Sequence, residues 1–260
     1  MDAHLKAFFT LIIVTPPILF LGGCQLSTVE SRAQNVTTVA SRKTTTAQAE
    51  QPQPPVKLLP VDESNLDPSL QEFRNLLVIA ATNHDKEFLL SVSDRKVDNG
   101  YDIEEGVAEF ERLWRLDDPG SSAWYVLKTI LAGGGTFNQS RTEFCGPYFV
   151  SQWRTVIQQL PEGTDTLDYV AITEKDVVVR RDANKTAPAV ATLSYDVVKI
   201  VSEQDLDRTV PGGSTWLRVQ LANGQEGFIL DNTVGSPMDY AACFTRRKDK
   251  WMITRFSARE

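Results

Sequence analysis

The sequence predicts an α+β protein in which a mainly helical module precedes a small β-barrel and a C-terminal β-hairpin. Apolar residues recur at helical spacing between 70 and 131, whereas short runs of alternating or β-branched apolar residues fill 169–234. Residues 240–256 have the composition of two strands joined by a polar turn. We expect this hairpin to pack back on the helical module, because Trp251 and Phe256 are too apolar to remain in water.

Four helices are expected in the helical module, residues 58–164. Asp67 fits the N-cap of the first helix and Pro68 its first position. The apolar stripe that follows consists of Leu70, Phe73, Leu76, Leu77, Ala80 and Ala81. The other expected elements are helices over 85–92, over 103–116 and from Ser121 or Ser122 to the glycines at 133–135, with a loop or weak strand over 94–102.

The clearest strand signal lies over 216–221, where aliphatic side chains alternate with aromatic or polar ones. This is the period-two pattern of a strand with one buried face. Asn223-Gly224 tolerates positive φ at both turn positions, so the chain is expected to fold back into a second strand over 226–229. Earlier apolar runs cover 177–181, 189–193 and 197–201, and such closely spaced short strands predict a small barrel.

The β-rich module carries a pattern that is shared with a known family. Its parts are Val177–Arg180, Pro188, Val190–Leu193, Val197–Val201 and the closing residues Trp216, Val219, Gly224, Gly227, Phe228 and Ile229. This pattern resembles a bacterial SH3-type (SH3b) domain, and the resemblance covers roughly a quarter of the chain. It implies an SH3-like barrel over 165–235 that recognises cell-wall peptides or glycan, or docks proteins of the wall machinery.

The helical module and the chain end extend this resemblance. Aromatic residues at 110, 114 and 124, the glycines at 133–135, Gly146-Pro147-Tyr148 and the closing segment 251–256 are similar to an uncharacterised bacterial family of SH3 domain-containing proteins. In that family a helical module precedes an SH3b-like domain. The resemblance implies no catalytic activity.

Four side chains nearest the 214–229 hairpin form the candidate binding groove: Tyr195, Trp216, Arg218 and Phe228. Aromatic and basic side chains offer apolar area together with polar contacts, as binding surfaces require. A competing interpretation places Trp216 and Phe228 inside the barrel, because a small barrel fills its interior with side chains. The sequence favours this second interpretation for those two residues.

Residues 1–23 have the features of an export signal. The apolar run over 7–21 is short and is interrupted by Pro16-Pro17, which is untypical of a membrane span. The run ends in Gly22-Gly23-Cys24, which resembles a bacterial lipoprotein signal. That resemblance implies cleavage before Cys24 and its acylation, palmitate included, so that the chain is anchored to a membrane. An ordinary secretory signal is the alternative.

The residues after Cys24 indicate on which membrane the folded part would be anchored and how it would be connected to it. By resemblance to the sorting of Gram-negative lipoproteins, Gln25 in place of Asp implies the periplasmic side of the outer membrane if the cell is Gram-negative. Residues 24–57 are rich in Thr, Ser, Gln and Pro and poor in large apolar residues, so they are predicted to form a disordered tether. The C-terminal hairpin is assigned to 236–260.

Composition and cysteine usage limit the function classes. The net charge of −7 argues against nucleic acid as a partner, since nucleic acids select clustered positive charge. With Cys24 acylated, Cys145 and Cys243 remain, and in an oxidising compartment they could form a disulfide. Two separate buried thiols are an equal alternative, because spacing alone does not place the two Cα atoms within bonding range.

The sequence contains few of the residues that catalysis requires. The mature chain has one histidine, His84. It precedes Cys145, which does not fit a Cys-His peptidase of the cell-wall type, and no serine lies in a nucleophile elbow, which a serine triad would require. No metal site or cofactor is expected. The run Gly133–Thr136 lacks the Lys of a phosphate loop and is interpreted as a helix end. Adjacent carboxylates such as Glu104-Glu105 and Asp117-Asp118 diverge on a helix and are interpreted as surface charge.

The favoured function is therefore binding by an envelope lipoprotein, with peptidoglycan or envelope proteins as partners. Two other classes stay open. One is a small-ligand pocket between the helical module and the C-terminal hairpin, which an apolar cavity with few polar groups would indicate. The other, less favoured, is a hydrolase whose site is built from two distant carboxylates.

Overall fold

Helices and strands occur together in the computed structural model, which describes residues 54–201 and 215–258 and confirms the α+β class. These residues belong to one compact unit, Glu50–Glu260. The export signal, Cys24, most of the predicted tether and the loop 202–214 lie outside the described residues. Among the described residues, no helix is long and apolar enough to cross a bilayer.

The helices lie in the first half of the chain. They are α1 (Pro68–Asn83), α2 (Lys86–Ser91), α3 (Val107–Trp114), α4 (Ala123–Ala132), α5 (Tyr148–Ser151) and α6 (Trp153–Ile157). The predicted cap is present: the Asp67 carboxylate accepts hydrogen bonds from the backbone N–H groups of Ser69 and Leu70 at 2.9 and 3.3 Å. Helix α3 is shorter than the predicted 103–116, because Gly106, with φ 113°, turns the chain immediately before it.

Five strands form the first sheet. They are β1 (Ser93–Asp98), β2 (Thr136–Phe137), β3 (Glu143–Gly146), β11 (Tyr240–Arg247) and β12 (Lys250–Ala258). Their order is β1-β12-β11-β3-β2, so the C-terminal hairpin occupies the second and third places. Strand β1 runs parallel to β12, and the other neighbours are antiparallel. Strands β2 and β3 belong to the module that the sequence predicts to be mainly helical.

The apolar face of the first sheet packs against the helices. Phe110 of α3 meets Phe256 edge-on, with ring centroids 5.6 Å apart, and Trp114 stacks on the same ring at 4.6 Å. Phe73 of α1 contacts Phe244 of β11 at 5.7 Å. Every one of these side chains is buried in a single cluster, so the hairpin supplies the surface on which the helical stripes are buried.

The glycine run 133–135 ends α4 and lets three backbone segments come together. Gly134 has φ 63°, and a Cβ there would lie 2.4 Å from the Val61 carbonyl oxygen. A Cβ on Gly135 would lie 2.3 Å from the Cys145 carbonyl oxygen. These distances are too short for any other residue, so the run serves close packing of the backbone.

The two cysteines are joined. Cys145 of β3 and Cys243 of β11 are direct partners in the antiparallel register, and their sulfur atoms form a disulfide. The two cysteines lie 98 positions apart in the sequence, and the segment between them contains the whole second sheet. The disulfide therefore fastens the C-terminal hairpin to the first half of the chain.

Seven strands form the second sheet. They are β4 (Tyr169–Ile172), β5 (Val177–Arg180), β6 (Ala189–Leu193), β7 (Val197–Ile200), β8 (Trp216–Gln220), β9 (Glu226–Leu230) and β10 (Val234–Gly235). Their order is β10-β4-β7-β8-β9-β5-β6, and within the described ranges no pairing joins β10 to β6 to close a barrel. The predicted turn joins β8 to β9, with Gly224 at φ 81°.

Aliphatic side chains fill the core of the second sheet. They are Val170, Ile172, Val177, Val179, Val198, Ile200, Leu217, Val219, Leu221, Ile229 and Val234. Trp216 and Phe228 are absent from this core and are only half-buried. The interpretation that these two aromatics fill the interior is therefore wrong, because the aliphatic residues that alternate with them occupy it.

A third core cluster joins the two sheets. Tyr148, Trp153 and Val156, from α5 and α6, are buried together with Leu58 and with Ala171 of β4. The chain before Leu58 also takes part. The Val197 N–H donates to the Val56 carbonyl at 2.8 Å. Val56, which was assigned to the tether, thus contacts the second sheet.

Arg74 is a buried charge that holds the entry segment 61–66 against α1. Its guanidinium contacts both carboxylate oxygens of Asp62 at 2.9 Å and the Ser64 hydroxyl, and it donates to the Leu131 carbonyl at 2.5 Å. Partial burial alone would raise the pKa of Asp62. The hydrogen bonds from Arg74 and Ser64 outweigh this effect and hold the pKa below its usual value.

Replacing both bonded cysteines by alanine is expected to lower the free energy of unfolding by about 2–4 kcal/mol, because the unfolded chain regains the freedom of a long loop. Urea denaturation monitored by circular dichroism measures the change. Reduced wild-type protein is the matched control and should lose a similar amount. Equal stability of the oxidised wild type and the double variant would contradict a stabilising role.

The substitution Asp62→Asn is expected to destabilise the fold by about 1 kcal/mol at neutral pH, a value reduced because the carboxylate is half exposed. Since the folded-state pKa is lowered, the stabilisation is present above the ordinary value of 3.8 and is lost as the pH falls through the folded pKa. Urea denaturation at neutral and at acidic pH should show the difference from wild type shrinking on acidification. Glu72→Gln, on the exposed face of α1, is the control and should show neither effect.

Candidate functional site

The outer face of the second sheet brings together three of the four side chains proposed for binding. In the β8–β9 register Trp216 lies opposite Leu230, and Arg218 lies opposite Phe228. Successive residues of a strand point to opposite faces, so these four side chains share the face that the buried Leu217 does not occupy. The same face continues on β5, where Arg180 is the partner of Phe228.

Gly227 explains how β5 can lie so close to β9. A Cβ at this position would approach the Val179 side chain to 2.5 Å and the Arg180 carbonyl oxygen to 2.9 Å. The glycine leaves this space to β5, which then extends the outer face beyond Phe228. Gly227 is thus required for the close packing of β5 against β9.

A cleft of about 280 Å³ opens on this face beside Trp216. Trp216, Leu230 and Val178 supply its apolar part. Charged side chains from β5, from the turn before it and from the loop after it surround this part: Glu174, Lys175, Asp176, Arg180 and Lys185. An aromatic surface next to several cations can bind a ligand that has both an apolar portion and an anionic group.

The cations of the cleft, and Arg218 on the same face outside it, differ in how they are held. Arg180 donates to the Ala187 carbonyl at 2.7 Å, which fixes its guanidinium at the sheet surface. Lys175 and Lys185 form no ion pair with any residue that the structure describes. Arg218 is paired with Glu226 at 2.5 Å in an exposed position, so this ion pair contributes little to stability. An anionic ligand can therefore bind these cations without breaking a strong ion pair.

Tyr195 lies apart from the other three candidates. It occupies the turn before β7 with φ 60°, and its carbonyl accepts the Leu58 N–H at 2.9 Å. It neighbours Tyr148 in the junction between the sheets, where burial, followed by the effect of Tyr195, raises the pKa of Tyr148 to about 12. The cleft beside Trp216 is lined by other residues.

Sequence reasoning missed Val178, Arg180 and the two lysines of the cleft. The signal for Arg180 was present, because in Val177–Arg180 the buried Val177 and Val179 alternate with outward Val178 and Arg180. Lys175 and Lys185 lie in turns that flank β5, where composition does not indicate the direction of a side chain.

The residues considered for catalysis lie on the surface or are paired. His84 is exposed, ends α1 in a left-handed conformation and stacks on Trp124 with ring centroids 5.3 Å apart. Asp117 pairs with Lys86 at 2.5 Å, and Asp118 pairs with Arg115 at 2.6 Å.

In the described part of the chain, one group of three potential metal ligands occurs, Glu143 with Cys145 and Cys243. Its two sulfur atoms are already bonded to each other. In this oxidised form neither sulfur is a thiolate, the form in which cysteine binds metals.

Comparison with known proteins adds no further assignment. No protein-family model, no curated protein and no solved structure matches this chain.

The outward orientation of Trp216 makes a prediction about stability. Trp216→Ala is expected to cost about 1 kcal/mol, a typical value for a partly exposed residue. Its neighbour Leu217 is fully buried, so Leu217→Ala should cost about 2–5 kcal/mol. Chemical denaturation of the two variants side by side measures the contrast. A loss at Trp216 as large as that at Leu217 would place the tryptophan in the core.

Proposed function

We propose that this protein is a cell-envelope lipoprotein, anchored through acylated Cys24, whose second sheet is a non-catalytic SH3b-type binding module. Its partner would be peptidoglycan or an envelope protein. The observation that carries the proposal is the outer face of β8 and β9. Trp216 and Phe228 remain half-exposed beside basic side chains, although the sheet has a complete aliphatic core without them.

The chemistry of this face suits a wall ligand. The apolar faces of sugar rings pack on aromatic side chains such as Trp216. The peptides of the wall carry carboxylates, which Arg180, Arg218 and the nearby lysines can bind by charge-assisted hydrogen bonds. The cleft is small, so it would accept one sugar or one or two residues at a time while the rest of the polymer lies along the sheet.

The two other function classes receive less support. The space between the helices and the C-terminal hairpin is occupied by packed aromatic side chains, among them Phe110, Trp114 and Phe256, where the pocket hypothesis requires a cavity. A carboxylate hydrolase requires two converging unpaired acids. On the first sheet, Asp98 of β1 is instead paired with Arg255 of β12 at 2.7 Å.

Co-sedimentation with isolated peptidoglycan tests the proposal, with the soluble form Gln25–Glu260, which retains the whole compact unit. The wild type should sediment with the wall. Trp216→Ala should weaken binding about tenfold or more, as expected for an aromatic residue at the centre of a contact. Arg218→Gln should weaken it less, and the residual binding should depend less on salt.

Tyr101→Ala and Arg112→Gln are the matched controls, because both residues are exposed and lie away from the second sheet. They should bind as the wild type does. A wild type that stays in the supernatant at all salt concentrations would refute wall binding. Equal sedimentation of Trp216→Ala and the wild type would exclude this face as the site.

A further inference from the structure

A second concave surface lies on the first sheet, on the face opposite helices α1, α3 and α4. It is a groove of about 290 Å³. Strands β1, β12, β11 and β3 form its floor, and α5 stands at one side. It shares no lining residue with the cleft beside Trp216. The two surfaces can therefore be tested separately.

Arg255 is held in a fixed position at one end of the groove. Its Nε atom donates to the Asp98 carboxylate at 2.7 Å, and Asp98 also accepts the Gly100 N–H at 3.0 Å. The two terminal nitrogens of the guanidinium have no partner among the described residues. A guanidinium oriented through Nε presents these nitrogens as a pair of parallel donors, which is the arrangement that binds a carboxylate.

Glu143 places the opposite charge at the other end. One of its carboxylate oxygens lies 3.4 Å from the Thr245 hydroxyl, and its carboxylate forms no ion pair in the part of the chain that the structure describes. The carboxylate also lies within 4.8 Å of the sulfur atoms of the Cys145–Cys243 disulfide. An apolar disulfide beside it strengthens the attraction of this carboxylate for a cation, since fewer water molecules surround it.

The sheet register fixes how far apart the Cα atoms of Glu143 and Arg255 lie. Glu143 lies opposite Thr245, and Arg255 lies opposite Cys243, so the two residues flank β11 and are offset by two positions along it. With the usual strand spacing and rise per residue, their Cα atoms are about 12 Å apart. A peptide of two residues spans about 7 Å. The Arg255 guanidinium leans towards Asp98 on β1, away from β11, so a ligand that contacts both charged groups needs at least this length.

Between the charged ends the groove offers mixed contacts. The Thr136 hydroxyl donates to the Ser151 hydroxyl at 2.9 Å, and each hydroxyl retains capacity for a further hydrogen bond. Val150 and Ala241 add apolar surface. These groups can serve the peptide bond and small side chains of a short ligand.

We propose that this groove binds a short peptide with free ends, at least two residues long. The ligand's ammonium group is received by Glu143 and its carboxylate by Arg255. The site is independent of the SH3b-type face, and its ligand is recognised by its two charged ends rather than by a particular side chain.

Isothermal titration calorimetry with alanyl-alanine tests the proposal on the soluble form Gln25–Glu260. Wild-type protein should bind this dipeptide and should not bind N-acetyl-alanyl-alanine amide, which lacks both charges. Glu143→Gln and Arg255→Gln should each weaken binding about tenfold to a hundredfold, as the loss of a charge-assisted hydrogen bond predicts. Arg112→Gln, at an exposed position of α3, is the control and should leave dipeptide affinity unchanged.

A series of alanine, the dipeptide and the tetrapeptide tests the ligand length, and alanine, which is too short to reach both charges, should bind more weakly than the two peptides. Equal binding of the blocked and free dipeptides, or wild-type affinity in Glu143→Gln, would overturn the proposal. Glu143→Gln preserves side-chain shape on a half-exposed position, so it remains informative if Arg255→Gln fails to fold. Failure of wall binding with intact dipeptide binding would refute the proposed function alone, and the converse result would refute this site alone.

Discussion

The central position of the C-terminal hairpin is the constraint on which the rest of the structure depends. Strands β1 and β3 do not pair with each other; each pairs with one strand of the hairpin. Until residues 240–258 are in place, the apolar stripes of the helices have no sheet to cover them. The Cys145–Cys243 bond fastens this arrangement at the β3–β11 edge. The helical module and the hairpin, which are distant in sequence, therefore form one cooperative unit.

The second sheet is an insertion between β3 and β11, and its two ends return to the same place. Val234–Gly235 of β10 pairs with β4, so the strand that leaves the sheet lies beside the strand that enters it. Gly235 also lies against the Phe149 ring, where a Cβ would approach within 2.5 Å. The inserted sheet thus contacts α5 at its point of attachment, while its outer face with Trp216 is left to solvent.

Local signals in the sequence predicted local structure well. The Asp67 cap, the end of α4 at the glycine run and the turn at Asn223-Gly224 follow from backbone chemistry that neighbouring residues determine. Strands β2 and β3 were missed because they are two and four residues long, and β3 gains its second partner, β11, from the far end of the chain. Likewise, Glu143 and Arg255 meet across β11, and no pattern near either residue indicates the other. Trp216 was assigned to the interior because the expectation of a filled barrel outweighed the alternation visible in its own strand.

One irregularity in β12 connects the core with the groove. Phe244 pairs with Ile253, but the preceding Cys243 pairs with Arg255, so Thr254 is an extra residue on β12. In a regular strand Ile253 and Arg255 would point to the same face, and the arginine would enter the apolar core. The bulge reverses the alternation, so that Ile253 and Phe256 both face the helices while Arg255 faces the groove and Asp98. The Thr254 hydroxyl donates to the Cys243 carbonyl at 3.2 Å and holds the bulge in place. A single inserted residue therefore allows one strand to complete the core and to present a charge on the opposite face.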